Sequence, residues 1–297
     1  MSLHISVLLN ETVECLRANL GGRFLDCTFG GGGHSKAILA AHPNSTVVAI
    51  DRDLDAVQRG KEISDSRFEI KHGTFKDLDS LVEQKSFDGI VADLGMSTDQ
   101  LKGDRGFSFR STGRLDMRMN LEDELTAEQL VNGLDEKKLY ILLKQGGVGN
   151  DARRITKFIV KARPIYTTEE LYSAIISGSS NRKQRESDSA QVVFQALRMA
   201  VNGEVDNITA LLKFAPYLAR EKGRLAVISF HSIEDTLVTK KMREWSQGCT
   251  CPPRLQCSCG KKKIGTLLTR HAVTPSETEL AANPASRSAR LRFFEFN

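Results

Sequence analysis

The chain has 297 residues, of which 40% are hydrophobic and 27% are charged, and its formal net charge is +5. This is the composition of a globular protein with enough chain for one large domain or two smaller ones. The sequence contains no run of 18 apolar residues and no basic start followed by an apolar block and a cleavage site, which excludes a membrane-spanning helix and a secretory signal. We therefore expect a soluble cytoplasmic protein that does not associate with membranes.

Charge is distributed unevenly along the chain. Residues 1–100 carry 10 Lys and Arg against 15 Asp and Glu, whereas residues 101–297 carry 32 against 22. A basic second part suggests a polyanionic partner. Solvated helix faces would produce the same excess, so charge alone leaves both interpretations open.

The first hundred residues alternate between strand-like and helix-like patterns. Apolar runs predict strands at 22–29, 45–53, 67–75 and 87–95. Segments with helical spacing lie between them, at 33–43, 53–63 and 77–84. Strands and helices that alternate at this spacing predict a parallel sheet with right-handed crossovers.

The pattern becomes helical over residues 107–202, where two helices open with the capping boxes Thr126–Gln129 and Thr167–Glu170. Strands and helices then resume, with helices predicted at 204–223 and 233–245 and strands at 224–232, 265–273 and 289–296. We therefore predict an α/β fold in which residues 1–106 and 203–297 form a mostly parallel, seven-stranded Rossmann-like sheet. Residues 107–202 form an inserted α-helical domain.

Four consecutive glycines, Gly30 to Gly33, follow the first predicted strand. They lack the Gly-Lys-[Ser/Thr] ending of a phosphate-binding loop, and Ser35 or Lys36 stands where the dinucleotide fingerprint needs its last glycine. The pattern Asp-x-x-x-Gly-x-Gly-Gly, which starts at Asp26, is typical of S-adenosylmethionine-dependent methyltransferases on the same type of sheet. A merely flexible turn is the alternative, but ligands on such sheets bind at these strand ends.

The next three strands end in groups that suit the same ligand. Asp51 follows the glycines by about 20 residues, where a carboxylate can accept both ribose hydroxyls, although this spacing alone would also suit NAD. Phe75 ends the third strand and can lie beside an adenine, and Asp93 ends the fourth strand near the reacting centre. The four strand ends together predict S-adenosylmethionine more specifically than any one of them does.

Seven sequence blocks together resemble one known family. In chain order they are TFGGGGHS, AIDRD, DLGMSTDQL, RGFSFRSTGRLDMRM, FQALRMAVNGE, SFHSIED and NPASRSARLR. They resemble the bacterial 16S ribosomal RNA (cytosine-N4) methyltransferase family, and the resemblance extends from HISVLLNETVECL to the C-terminus. It implies a class I methyltransferase sheet with an inserted helical domain for substrate recognition. It also implies transfer of a methyl group from S-adenosylmethionine to the N4 amine of a cytosine in the decoding region, with 16S ribosomal RNA or the small subunit as the partner.

The resemblance also assigns cofactor contacts to residues that match the family's motifs. They are Gly32, Gly33, His34, Asp51, Phe75, Asp93 and Gln100. Asp51 matches the family's ribose-binding acid, and Asp93 and Gln100 match its contacts near the methionine moiety. The chain departs from the family at Val192, where the family often has Arg, and this weakens the case for a substrate contact at that helix.

The N4 amine of cytosine is a poor nucleophile because its lone pair is delocalised into the ring. We expect Asp93, or a backbone carbonyl of its turn, to accept an N4 hydrogen bond so that the lone pair points at the methyl group. His231, in SFHSIED, is a second catalytic candidate, more for positioning than as a base. Phe107 and Phe109 are candidates for receiving a base that has left its stack, or for packing against the helical insertion.

Two groups of basic residues are candidates for RNA binding. Arg153, Arg154 and Lys157 share a predicted helix face that Lys161 extends, and Lys240 and Lys241 lie in the helix after the fifth strand. The same surface could include Arg243, Lys261, Lys262 and Lys263. Side chains of this kind contact phosphates and make RNA affinity depend steeply on salt.

The cysteines Cys249, Cys251, Cys257 and Cys259 form a C-x-C-x5-C-x-C pattern. Four thiolates this close together can bind zinc tetrahedrally, although zinc ribbons usually space their cysteines as C-x2-C. A reduced loop without metal is the alternative, and disulfides are disfavoured in a reducing cytoplasm. The sequence leaves metal binding at these cysteines open.

Three other functions were considered for this chain, and the sequence disfavours each of them. A DNA amine methyltransferase would carry an Asp/Asn-Pro-Pro-aromatic turn where this chain has DLGM at 93–96. A non-catalytic RNA-binding assembly factor would have damaged cofactor residues, whereas here they are intact. An NAD-dependent oxidoreductase is disfavoured because the dinucleotide fingerprint is missing.

Overall fold

The computed structural model describes residues 6–95, 105–110, 112–179, 186–249, 251 and 258–297. The chain divides into two compact units, Met1–Gly95 with Asp206–Asn297, and Met96–Val205. The first unit holds the strands and the second holds a group of helices. None of the helices in the described residues combines the length and the apolar composition that a bilayer crossing needs.

The first unit is built on one sheet, with seven strands among the described residues. In chain order they are β1 (Gly22–Asp26), β2 (Ser45–Asp51), β3 (Phe68–His72), β4 (Phe87–Asp93), β5 (Ala219–Ser229), β6 (Gly265–Leu267) and β7 (Arg290–Phe296). Their order across the sheet is β3-β2-β1-β4-β5-β7-β6. Strands β1 to β5 pair in parallel, and β7 runs antiparallel to both β5 and β6. The predicted α/β fold with a mostly parallel, seven-stranded sheet is confirmed.

Helices connect the strands and form the second unit. In chain order they are α1 (Leu9–Cys15), α2 (Gly33–Ala41), α3 (Leu54–Lys61), α4 (Leu78–Leu81), α5 (Ala127–Gly133), α6 (Glu136–Gln145), α7 (Ala152–Ala162), α8 (Thr168–Gly178), α9 (Glu186–Val201), α10 (Glu204–Leu218), α11 (Ser232–Ser246) and α12 (Glu277–Ala282). Helices α5 to α9 follow β4 and precede the return of the chain to the sheet, as expected from their spacing.

The central strands are buried on both faces. Successive side chains of a strand point to opposite faces, so Phe24 lies in one hydrophobic core and Leu25 in the other. The same alternation separates Ile90 from Val91 on β4. Helices α10 and α11 cover the face of Leu25, and α1 and α2 cover the face of Phe24. Burial on both faces explains why these strands read as continuous apolar runs.

The predicted helix over 204–223 is too long. Helix α10 ends at Leu218, and β5 begins at Ala219. Ala219 pairs with Phe87 and Arg224 pairs with Gly89, so β5 has more residues than β4 between these two pairs, and Lys222 takes a φ of 61°. The extra residues form a β-bulge. The polar residues at the start of β5 continue the helical pattern of α10, so the sequence shows no boundary between the two elements.

The second unit has a hydrophobic core of its own, formed by α5 to α9 and the segment before them. Both predicted capping boxes are confirmed: the Thr126 hydroxyl accepts a hydrogen bond from the Gln129 N–H at 3.2 Å, and the Thr167 hydroxyl accepts one from Glu170 at the same distance. Each box satisfies amide groups that the first helical turn leaves without intrahelical partners.

Phe107 and Phe109 pack within the second unit. Phe107 is 7% exposed and belongs to its core. Phe109 stacks on Tyr172, with ring centroids 5.9 Å apart, and meets the edge of Phe194 at 5.8 Å. Of the two roles that the sequence left open for these residues, the structure favours packing over the reception of a base.

Asp235 joins α11 to β7. Its carboxylate accepts hydrogen bonds from Arg292 Nε at 2.8 Å and Nη2 at 3.1 Å, and from Arg290 Nη1 at 3.3 Å. Burial raises the pKa of Asp235, but the hydrogen bonds and charges of Arg292 and Arg290 outweigh it, so the net shift is downward from 3.8. The ionised carboxylate therefore stabilises the folded state.

We expect Asp235→Asn to lower the free energy of unfolding at neutral pH by about 2 kcal/mol, because the variant loses hydrogen bonds to charged groups. The folded pKa lies below the unfolded value, so the contribution of Asp235 is present above the unfolded pKa and is lost as the pH falls through the folded pKa. Urea unfolding at several pH values measures this. Asp79→Asn, an exposed acid on α4, is the control. A stability difference that stays constant into the acid range would contradict the assignment.

Candidate active site

The carboxyl ends of the parallel strands meet at one edge of the sheet. Asp26 at the end of β1 is level with Val91 on β4, and Asp93 at the end of β4 is level with Ile228 on β5. Asp51 at the end of β2 is level with His72 on β3. This is the edge at which open α/β sheets bind ligands.

Hydrogen bonds tie the glycine loop to the neighbouring strand ends. The Gly30 N–H donates to Asp51 Oδ2 at 2.7 Å, and the Asp93 N–H donates to the Thr28 hydroxyl at 2.7 Å. The Gly73 N–H, after β3, donates to the Asp51 carbonyl oxygen at 3.0 Å. These bonds therefore connect all four regions that the sequence singles out, which are the glycine loop and the ends of β2, β3 and β4. The Thr28 hydroxyl links the glycine loop to the end of β4.

Two glycines keep the turn before α2 free of side chains. Gly32 has a φ of 76°, which favours glycine, and a β-carbon there would lie 2.7 Å from the Phe29 ring. A β-carbon on Gly33 would collide with the Ser6 side chain. The turn therefore presents bare backbone at the start of α2, where the first N–H groups of a helix lack intrahelical acceptors.

His34 contributes to the site differently from its neighbours. Its imidazole is 5% exposed, and Nε2 lies 3.1 Å from the Val7 carbonyl oxygen. The side chain therefore connects α2 to the segment before α1. The group that His34 can present to a ligand is its backbone N–H in the first turn of α2.

Asp26 stabilises the glycine loop through hydrogen bonds, a role that the sequence analysis does not predict. Its carboxylate is 1% exposed and accepts hydrogen bonds from the Ser35 hydroxyl at 2.6 Å and the Thr28 N–H at 3.1 Å. Burial raises the pKa of Asp26, and the charge of His34 and these donors lower it only in part. The signal was present in the sequence, because Asp26 is the acid that begins the Asp-x-x-x-Gly pattern.

Asp51 has the geometry of a ligand-binding carboxylate. Its two oxygens accept backbone hydrogen bonds from Gly30 at 2.7 Å and from Asp53 at 2.9 Å. Burial raises the pKa of Asp51, and these two bonds lower it in part. Each carboxylate oxygen has a second lone pair, so Asp51 can still accept a pair of ribose hydroxyls.

The remaining predicted cofactor residues are placed as follows. Phe75 begins the short 3-10 helix Phe75–Asp77 after β3, and its partly buried ring packs against the core. Asp93 accepts a hydrogen bond from the Gly95 N–H at 3.2 Å, which fixes its carboxylate at the strand end. Gln100 lies outside the described residues.

His231 caps the helix that follows β5. Its Nδ1 accepts from the Glu234 N–H at 3.5 Å, and its Nε2 lies 3.1 Å from Glu234 Oε1. Glu234 is 1% exposed and accepts from the Phe230 N–H at 2.8 Å. These contacts orient the start of α11 at the same edge of the sheet and favour a positioning role over that of a base.

The predicted RNA-binding residues form two exposed groups, one in each unit. Arg153, Arg154, Lys157 and Lys161 are exposed on α7, and we call them the α7 basic face. On α11, Lys240 is exposed and Lys241 pairs with Glu244 at 3.2 Å. The α7 basic face also carries an exposed aromatic side chain, Phe158, at 36% exposure.

Three of the four clustered cysteines come together in the structure. The sulfur atoms of Cys249, Cys251 and Cys259 lie within 4.8 Å of one another. Cys257 lies outside the described residues.

The sheet order with β7 between β5 and β6 is that of class I methyltransferases, and the glycine turn and Asp51 meet at the edge where such sheets bind ligands. The fold and this edge define a class I S-adenosylmethionine-dependent methyltransferase. The chain belongs to the MraW methylase family, whose model matches residues 1–297.

Relatives of the chain are similar over their full length. It is 42% identical over 303 residues to the ribosomal RNA small subunit methyltransferase H of Caldicellulosiruptor bescii, which covers 98% of both chains. It is 40% identical over 301 residues to the protein of that name from Clostridium botulinum, covering 97% of both. The identity to the Clostridioides difficile protein of that name is 39% over 306 residues, covering 98% of both.

Proposed function

We propose that this enzyme transfers a methyl group from S-adenosylmethionine to the exocyclic N4 amine of one cytosine in the decoding region of 16S ribosomal RNA. One observation carries the proposal: the whole chain is similar to relatives that are named for methylation of small-subunit ribosomal RNA. The seven motif blocks resemble those of the cytosine-N4 methyltransferase family, and this resemblance implies that the N4 amine is the target. A ribosomal substrate implies a cytoplasmic enzyme.

When bound, S-adenosylmethionine supplies a methyl group on a positively charged sulfur. Asp51 would hold the ribose beside the turn at Gly32 and Gly33, whose packing against Phe29 and Ser6 leaves no room for side chains. With the cofactor bound, the cytosine N4 would accept the methyl group while the sulfur keeps the bonding electrons, and N4 would then lose one proton to water. Orientation of the two reactants can provide a large part of the acceleration.

Asp93 is the residue that we assign to the N4 amine. Its carboxylate accepts an N4 hydrogen bond, so the nitrogen becomes pyramidal and its lone pair points at the methyl group. Two hydrogen bonds hold this acceptor in place before the substrate arrives. The Asp93 N–H donates to the Thr28 hydroxyl, and the Gly95 N–H donates to the Asp93 carboxylate. An acceptor oriented in advance needs no reorganisation during the reaction.

We assign RNA recognition to the helical insertion, residues 107–202. The α7 basic face supports this assignment, because Arg and Lys side chains on one exposed helix face suit a row of phosphates. Phe158 lies among these cations and can stack on an unpaired base. Apolar residues on the opposite side of α7, among them Ile155 and Ile159, anchor the helix in its core.

The function is tested with small subunits that lack the modification. Purified enzyme and isotope-labelled S-adenosylmethionine are added to assembled small subunits, to naked 16S RNA and to duplex DNA. We expect mass spectrometry of the digested nucleosides to find labelled N4-methylcytidine in RNA at a single position. Label on the cytosine C5 carbon, on another nucleoside or only in DNA would refute the proposal.

We expect the double change Arg154→Glu and Lys157→Glu to weaken RNA binding by roughly 10- to 100-fold, because two phosphate contacts become repulsive. Binding of S-adenosylmethionine should not change. Fluorescence anisotropy at several salt concentrations measures this, and affinity for the unaltered enzyme should fall steeply with salt. Lys138→Glu, on an exposed lysine of α6 paired with Asp135, is the control. A flat salt dependence, or an equal loss in the control, would contradict the assignment.

A further inference from the structure

The segment between α11 and β6 is held by hydrogen bonds at both of its described ends. The Ile264 N–H donates to the Trp245 carbonyl oxygen at 3.0 Å, and the Leu267 N–H donates to the Ser246 hydroxyl at 2.9 Å. Its described residues form no helix or strand, and Lys261, Lys262 and Lys263 are exposed. The described part of the loop has no apolar cluster that would order it.

Sulfur atoms converge in this loop. Cys249, Cys251 and Cys259 have sulfurs within 4.8 Å of one another, and the Sγ atoms of Cys249 and Cys259 are 3.7 Å apart. Zinc–sulfur bonds are about 2.3 Å long, so two ligands on a tetrahedral zinc ion lie about 3.8 Å apart. The observed separation is close to that edge of a tetrahedron and much longer than the roughly 2.05 Å of a disulfide bond.

Backbone N–H groups point at these sulfurs. The Cys251 N–H donates to Cys249 Sγ at 3.3 Å. Backbone N–H groups of Ser258 and Cys259 also donate to the Cys251 sulfur. Gly260 follows at a φ of 60°, which turns the chain directly after Cys259. Such donors stabilise the thiolate, which is the form that binds metals.

The other cysteines of the described chain have a different environment. Cys15 and Cys27 are buried among apolar residues, and burial raises the pKa of Cys15 to about 12. Those two thiols are apolar core groups, whereas the loop cysteines are exposed or partly exposed. The chain therefore separates buried core cysteines from cysteines that a metal ion in solvent can reach.

We propose that Cys249, Cys251 and Cys259 supply three ligands of a zinc ion that cross-links the loop between α11 and β6, with a water molecule or a further side chain as the fourth ligand of the tetrahedron. Each thiol releases its proton to solvent as its sulfur binds the metal. Soft thiolate ligands in a tetrahedral arrangement suit zinc. The three lysines that follow Cys259 offset the negative charge that several thiolates place around one divalent ion. A disulfide between Cys249 and Cys259 would not explain why the Cys251 thiol lies beside them.

The test is the metal content of protein purified under reducing conditions without chelators. We expect about one zinc ion per chain by elemental analysis, and nearly complete loss of it in Cys249→Ser and in Cys259→Ser. Ser258→Ala lies in the same loop, removes no sulfur and should keep the zinc. Cobalt substitution of the unaltered protein should produce the visible absorption of a tetrahedral cobalt–thiolate site, and Cys259→Ser should lose it.

A second measurement does not depend on the folding of variants. Zinc added to reduced, metal-free protein should protect Cys249, Cys251 and Cys259 from alkylation, as mapped by mass spectrometry. The absence of protection, full zinc content in both serine variants, or a Cys249–Cys259 disulfide in freshly isolated protein would each overturn the proposal. These results are independent of methyltransferase activity, so they leave the proposed function untouched.

Discussion

Asp51→Asn is expected to weaken the binding of S-adenosylmethionine by about 100-fold or more. Hydrogen bonds donated to a charged carboxylate contribute about 1.5–3 kcal/mol each, and two ribose hydroxyls would lose such an acceptor. The amide nitrogen of Asn would also face either a ribose hydroxyl or the Gly30 N–H, which now donates to Asp51 at 2.7 Å. The substitution therefore affects the ligand contact and the turn together.

Isothermal titration calorimetry with the cofactor measures this loss, and urea unfolding shows whether the variant remains folded. Asp55→Asn is the matched control, because Asp55 is an exposed acid four residues further along the chain. The pKa of Asp51 is raised by burial, so affinity should also fall as the pH is lowered through that raised pKa. Asp51→Asn that binds the cofactor within threefold of the unaltered enzyme would rule out the ribose contact.

Asp93→Ala is expected to lower turnover at saturating cofactor by about 100- to 1,000-fold, the range seen when one preorganised hydrogen-bonding group is removed from a transition state. The cofactor affinity should change much less, because the role that we assign to the carboxylate is at the cytosine N4 amine. Asp93→Asn keeps a carbonyl oxygen as acceptor and should retain more activity than the alanine variant.

Single-turnover assays with saturating cofactor separate the two effects. Asp88→Asn is the control from the same strand, since Asp88 lies near the other end of β4 and binds Arg220 at 3.0 Å. We expect the control to keep near-normal turnover. Near-normal turnover of Asp93→Ala would assign the acceptor role to another group, and a loss in cofactor affinity as large as the loss in turnover would leave Asp93 only its predicted contact near the methionine moiety.

Several parts of the fold were predictable because they depend on neighbouring residues. The two capping boxes each involve residues three positions apart, and both form as predicted. The strands that end at Asp51 and Asp93 were recognised from continuous apolar runs, which strands buried on both faces require. The start of β5 was missed because its first residues are polar and bulge against β4, and their pattern does not differ from the end of a helix.

The candidate site divides in the same way. The glycine turn and the acids at the strand ends could be read from the chain, because their types and spacing reflect the ligand. The burial of the His34 side chain could not be predicted from the sequence, since its partner Val7 is 27 positions away. The Thr28 hydroxyl that accepts from the Asp93 N–H is 65 positions from its donor, and no local pattern connects the two.

Most strand and helix segments, the family and the residue types at the cofactor edge follow from the sequence alone. These depend on local spacing, on backbone freedom at glycine and on the chemistry of single side chains. The folded structure was needed to show three further features: the place of β7 between β5 and β6, the hydrogen bonding of Asp26 to the glycine loop and the short distances between the cysteine sulfurs. These depend on contacts between distant segments or on loop conformation, and side-chain patterns along the chain do not specify which segments or atoms meet.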